Sequence, residues 1–195
     1  MNEELENQVY ELVAKNQTHN AIQILEDALN QLPATPYHAI IGRDLLHMTV
    51  ITADYLRKFY ESVPANADLR TIYIEMNAFA INSDCWFIDA FGYKSYNGID
   101  DLDWLSDWDT SDFTSLTISG YEEIQKAFKT FYLDQNKSEV IRQSGEIAEH
   151  LIILRLQELV RAAHVKAVES ISALQDIIVL STAHDFDLIS FSDLN

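Results

Sequence analysis

Apolar residues recur at helical spacing along the first third of the chain. Leu5, Val9, Leu12 and Val13 stand at i, i+4, i+7 and i+8, which predicts an amphipathic helix over 3–15. After the polar break Asn16-Gln17-Thr18-His19-Asn20, the positions Ala21, Ile22, Leu25, Ala28, Leu29 and Leu32 mark a second helix, ended by Pro33. Five polar residues between two apolar stripes suit an antiparallel helical hairpin, with one continuous bent helix as the alternative. Thr35-Pro36 is a helix-start signal, a capping hydroxyl followed by proline where its missing N–H costs nothing. Tyr37, Ile41, Leu45, Met48, Ile51, Tyr55 and Phe59 continue the helical period to about residue 62. The β-branched run Thr49-Val50-Ile51-Thr52 places a break there, with Thr52 capping a second piece.

Beyond the turn region 64–68 the period changes to two. Ile72, Ile74, Met76, Ala78 and Ala80 fall on one face, and Tyr73, Glu75, Asn77 and Phe79 on the other. Asn82-Ser83 predicts a tight hairpin into a second strand, Cys85–Tyr93, with large apolar groups on both faces and so covered on both sides. Asn97-Gly98 is a turn, and 113–118 a short strand. Ser119 and Glu122 match a capping box that starts a helix carrying Tyr121, Ile124, Phe128 and Phe131 or Tyr132. Residues 138–172 read as one long helix with Gly145 its weak point. Its centre, 151–156, is apolar nearly all round, as in a helix buried on most sides or lying in an oligomer interface. Strands at 176–182 and, more weakly, 186–191 follow.

These elements predict one α+β domain over 1–195, with a small antiparallel sheet of three to five strands. N-terminal helices (1–63) and the long C-terminal helix pack on it. The hairpin and an acidic loop occupy 70–118, further helices 119–172, and the last strands 176–192. A chain of 195 residues buries about 70% of its unfolded surface and needs no disulfide or metal to fold. A lone cysteine and a polar, acidic N-terminus suit a reducing, cytoplasmic setting without a signal peptide. No apolar run approaches the ~20 residues of a membrane span.

Charge changes this picture most. The net charge is −18, which disfavours nucleic acid and anionic lipid as partners and favours a basic protein. It is also concentrated. Residues 1–70 carry ten acids and five bases (net −5), residues 71–115 nine acids and one base (net −8), and residues 116–195 twelve acids and seven bases (net −5). The middle segment holds all three tryptophans and the only cysteine. Its candidate partner-binding residues are Asp100, Asp101, Asp103, Trp104, Asp107, Trp108, Asp109 and Asp112, with Phe91, Tyr93 and Tyr96 nearby in sequence. Aromatic side chains supply contact area at interfaces, while dispersed acids steer a cationic partner. If 101–108 is helical, Asp101, Trp104, Leu105 and Trp108 share a face, and Asp103 and Asp107 flank it. The other reading is a lid whose tryptophans pack inward while its aspartates stay wet. The two are compatible.

The familiar catalytic signatures are absent. The glycines are dispersed, so no phosphate-cradling loop forms, and there is no G-x-S-x-G, C-x-x-C or H-E-x-x-H. The acidic run lacks the glycine and glutamate positions of a calcium loop. Glu146 and His150 lie one helical turn apart, too few ligands for a metal, and Glu146 is expected to pair with His150 or Arg142. His164 is about 21 Å further along the helix. His184 stands beside Asp185 without an assignable nucleophile, and Cys85 is expected to be packed in its strand. No cofactor is expected. The leading expectation is a non-enzymatic binding module for a basic protein, in strategy resembling small acidic proteins that neutralise a basic toxin, with an immunity or antitoxin role as one instance. The alternatives are a carboxylate-based, metal-dependent enzyme using Asp89, Asp100, Asp101 or Asp103, and a structural homodimer joined through the helix 138–172.

Overall fold

The computed structural model describes residues 1–64, 67–79, 84–111 and 113–194. Its helices are α1 (Glu3–Ala14), α2 (Thr18–Gln31), α3 (Thr49–Ser62), α4 (Glu122–Phe131) and α5 (Glu139–Val168). Its strands are β1 (Thr71–Met76), β2 (Phe87–Tyr93), β3 (Leu116–Thr117), β4 (Ile178–Ala183) and β5 (Ser190–Ser192). They form one sheet in the order β3-β2-β1-β4-β5. The α+β architecture, with five strands and a long C-terminal helix on the sheet, is the expected one. The sheet is mixed rather than wholly antiparallel, because β4 lies parallel to β1, with Glu75 opposite Thr182. Hydrophobic alternation sets which face of a strand is buried and leaves its direction open.

Residues 3–31 form a helical hairpin: Asn16 adopts φ 60 between α1 and α2, a left-handed conformation that asparagine tolerates. The long helix expected from Thr35 is interrupted earlier than its β-branched stretch. Residues 36–40 make one 3₁₀ turn, capped by Thr35 and His38, and the chain then turns at Gly42 with φ 70. Asp44 accepts the Leu46 N–H at 2.8 Å, and α3 begins only at Thr49. Thr52 is a buried residue inside α3, not a cap. Glu122, rather than Ser119, satisfies the start of α4, accepting the Gly120 N–H at 2.9 Å. The hairpin turn expected at Asn82-Ser83 lies outside the described residues.

Helix α5 is the centre of the molecule. Every residue from Ile147 to Leu154 is buried, so its apolar circumference is covered within one chain, by α2, α3 and β4. Two polar residues inside this core find hydrogen-bond partners in the C-terminal segment 174–192. The Gln157 amide donates to the Leu188 carbonyl at 2.8 Å. His164 Nε2 donates to the Leu174 carbonyl at 2.8 Å, which leaves Nδ1 to accept from the Ser192 hydroxyl at 2.9 Å. Arg155 bridges Glu26 of α2 (2.9 Å) and Glu158 (2.7 Å), joining the outer helical hairpin to α5.

The sheet buries Ile72, Ile74, Met76, Ile88, Ala90, Val179 and Ala183 against the helices. Its outer edge at β2 is incompletely paired, since β3 meets only Phe87 and Ile88. Tyr55 of α3 fills the gap: its hydroxyl donates to the Ile88 carbonyl at 3.4 Å and accepts the Ala90 N–H. Phe113 packs on the rings of Tyr55 and Phe59.

Candidate functional site

The opposite sheet face carries a second, smaller apolar cluster: Tyr73, Tyr93, Leu180 and Ile189, covered by Ile99, Leu102, Trp104 and Leu105. The acidic segment is therefore a lid on the sheet. Three contacts hold it. Gly92 and Thr110 exchange backbone hydrogen bonds at 2.8 and 3.2 Å. The Tyr93 hydroxyl donates to the Leu105 carbonyl at 2.7 Å. Asp109 accepts both the backbone N–H of Lys94 (2.9 Å) and its ammonium (2.8 Å), which holds its carboxyl below the usual range.

Only Asp103–Ser106 is helical, as a single 3₁₀ turn, so the two tryptophans do not share a helix face. Trp104 is half-buried: its indole N–H donates to the Gly98 carbonyl at 3.0 Å, and its ring meets Tyr93 at 4.9 Å and Tyr96 at 6.1 Å. Trp108 lies on Phe91 at 5.1 Å and remains 48% exposed. Tyr93 and Phe91 are same-face neighbours on β2, so adjacent strand positions seat one tryptophan inward and one outward. Asp100, Asp101, Asp103 and Asp107 are exposed on the lid, with Asp101 also accepting the Asp103 N–H at 3.0 Å. Asp112 lies outside the described residues.

The lid stops short of the far end of the face. There a cleft of about 390 Å³ opens between Trp108, Leu105, Tyr73, Glu75 and the turn His184–Asp187. Beside it a smaller hollow of about 200 Å³ is lined by Glu75, Phe87, Asp89 and His184. Glu75 and Asp89 are direct cross-strand partners, a like-charge pair that a sheet tolerates at a cost of roughly 0.2–1 kcal/mol. Each has a polar partner of its own. His184 Nδ1 meets Glu75 at 2.7 Å, and that bond raises the imidazole pKa; the Ser115 hydroxyl donates to Asp89 at 2.6 Å. His184 also reaches Asp185 at 3.5 Å, so its closer carboxylate comes from the neighbouring strand, 109 residues away in sequence.

The carboxylates proposed for a metal enzyme do not converge. Asp89 lies in the hollow, whereas Asp100, Asp101 and Asp103 ride on the lid, and among the described residues no three His, Cys, Asp or Glu side chains cluster for a metal ion. Glu146 pairs with Arg142 at 2.5 Å, and His150 bonds the Glu146 backbone carbonyl instead of its carboxylate. Cys85 is exposed just before β2, not packed in it, because the strand begins at Phe87. The sequence did not point to the pairing of Glu75 with His184, which stood there only beside Asp185, nor to Phe91 as the support of Trp108. A glutamate and an aspartate on the second face of otherwise apolar strands were the available signal. Comparison with protein families, curated proteins and solved structures finds no match. Among the described residues no helix is long and apolar enough to cross a membrane.

Proposed function

We propose that this protein is a non-enzymatic binding module that docks a basic partner protein on the acidic face formed by the lid and the adjoining cleft. The observation that carries this reading is Trp108: a large ring left 48% exposed, supported from below by Phe91, at the mouth of a cleft that contains Glu75, Asp185 and Asp187. A partially exposed, backed tryptophan offers apolar contact area at little entropic cost, and the surrounding carboxylates select and steer a cation. A partner arginine or lysine entering the cleft would face Glu75, Asp185 and Asp187 with Trp108 alongside. The inward Trp104, tied to Gly98, holds the exposed Asp101 and Asp103 in place. In this reading Asp100, Asp101, Asp103 and Asp107 form the electrostatic rim, Asp109 is structural, and nucleic acid and membrane are not partners. Neutralisation of a basic toxin in the cytoplasm is the instance that best fits the charge.

The test is an affinity capture at low salt with the intact protein, its Trp108→Ala variant and an Asp103→Lys/Asp107→Lys variant. Recovery of one basic protein by the parent alone, released near 0.5 M salt, supports the reading. Equal recovery by all three baits, or no basic protein among the captured species, overturns it.

A further inference from the structure

The helical side of the molecule carries a separate cavity, of about 330 Å³, whose walls include Tyr37, Tyr132, Lys137, Arg142, Gly145 and Glu149. Glu149 belongs to its lining and is only 8% exposed. Helix α5 brings it there one turn after Gly145. That glycine lets the Tyr37 ring approach to 3.3 Å of where a Cβ would stand, so Tyr37 closes directly on the helix. Phe128 stands between the two tyrosines, with its ring centroid 5.0 Å from that of Tyr37 and 5.8 Å from that of Tyr132. The Glu149 charge bears on both phenols. It joins burial in pushing the Tyr37 hydroxyl up to about 12, and acts on Tyr132 in the same direction. Both phenols are therefore neutral donor–acceptor groups beside a buried carboxyl.

The two cations that line this cavity have other direct partners, although the charges of Lys137 and of the N-terminal ammonium, which pairs with Glu146, also act on Glu149. Arg142 pairs with Glu139 and Glu146. The Lys137 ammonium donates to the Tyr132 carbonyl at 2.6 Å and lies 5.5 Å from the centre of its ring, so that ring already attracts an ammonium group. A carboxylate buried without an ion pair is costly, and an ammonium ion that reached it would relieve that cost. Aromatic walls with a carboxylate at the base are the surroundings that organic cations favour.

We propose that this cavity binds a small primary alkylammonium ion, whose three N–H donors are shared among the Glu149 carboxylate and the phenol oxygens of Tyr37 and Tyr132. Its alkyl part lies along the tyrosine rings. No bond is made or broken.

The probe is n-butylammonium chloride, titrated calorimetrically at pH 8 into the intact protein at constant ionic strength set by potassium chloride. Saturable binding is expected. Glu149→Gln should weaken it at least tenfold, and Tyr132→Phe severalfold, while Trp108→Ala leaves it unchanged and so separates this site from the acidic face. Tetramethylammonium, which has no N–H donors, should bind at least tenfold more weakly. Absence of saturable binding overturns the proposal. So does equal affinity in Glu149→Gln and Tyr132→Phe, equal affinity for tetramethylammonium, or displacement by potassium at equal concentration, which would mean an adventitious ion only.

Discussion

The Tyr93 hydroxyl donates to the Leu105 carbonyl at 2.7 Å, so the β2 strand itself holds the acidic lid down from beneath. The Tyr93 ring stays buried whether or not that bond is made, because it belongs to the cluster under Trp104. Tyr93→Phe is therefore expected to keep the fold and lose about 1 kcal/mol in urea unfolding. Protease cleavage within 99–108 should become faster. A variant with parental stability and parental cleavage would show that the bond does not hold the lid.

Gly92 is the second fixed point. A Cβ there would come to 2.7 Å from Thr110 Cγ2 and 2.8 Å from Leu69 Cδ1, while the Gly92 and Thr110 backbones are paired to each other and cannot separate without losing both hydrogen bonds. Gly92→Ala is expected to cost about 1–3 kcal/mol by overpacking. It should also loosen the end of the lid, read as faster amide exchange at Asp109 and Thr110. Unchanged exchange at those two amides would refute the account.

What could be read in the sequence follows from which interactions are local. The alternation Ile72, Ile74, Met76 is a local pattern and located β1, although the strand stops at Met76 and does not continue through Ala78; the apolar run of α5 pointed to burial on most sides or an oligomer interface, and the helix is buried within the chain. Gly42 and Asp44 ended the third helix early, and those are local signals too, outweighed in the reading by the helical period around them. The parallel pairing of β1 with β4 is not local. It brings Glu75 to His184 across 109 residues, and no spacing predicts it. The split between Trp104 and Trp108 was hidden for a different reason: a four-residue 3₁₀ turn changes direction where a helix of 101–108 would have kept both on one side.

The two tryptophans should respond unequally to truncation, in one order for stability and in the reverse order for partner affinity. Trp104→Ala removes a half-buried ring and strands the Gly98 carbonyl, so a loss of about 2 kcal/mol or more is expected. Trp108→Ala removes a ring that is nearly half in water, and about 1 kcal/mol is expected. Partner affinity should move the other way, falling more than tenfold for Trp108→Ala at a temperature where both variants are folded. Equal stability losses in urea unfolding would contradict the inward and outward placements.

Glu149 and His150 are neighbours on α5 that burial shifts in opposite senses. Desolvation pushes the Glu149 carboxyl up to about 7 from 4.5, against the Tyr132 hydrogen bond and the Lys137 charge, and pulls the His150 imidazole down to about 4 from 6.5. Between pH 4.5 and about 7 the folded chain keeps a proton on Glu149 that the unfolded chain has released, so this group makes stability fall as pH rises. Between about 4 and 6.5 the unfolded chain holds a proton on His150 that the folded chain has shed, so this group makes stability rise. The two slopes oppose each other up to about pH 6.5, above which the Glu149 slope stands without its opponent. Glu149→Gln is therefore expected to be more stable than the parent at pH 8, by on the order of 2–3 kcal/mol, with the gap closing toward pH 5. His150→Phe should leave a steeper decline between pH 4.5 and 6.5. The His184–Glu75 pair also favours the folded state below its raised imidazole pKa, and a His184→Gln background removes that contribution from the comparison. Urea midpoints at pH 5, 6.5 and 8 decide the matter, and a Glu149→Gln curve parallel to the parent's would rule out a proton held on Glu149 at neutral pH.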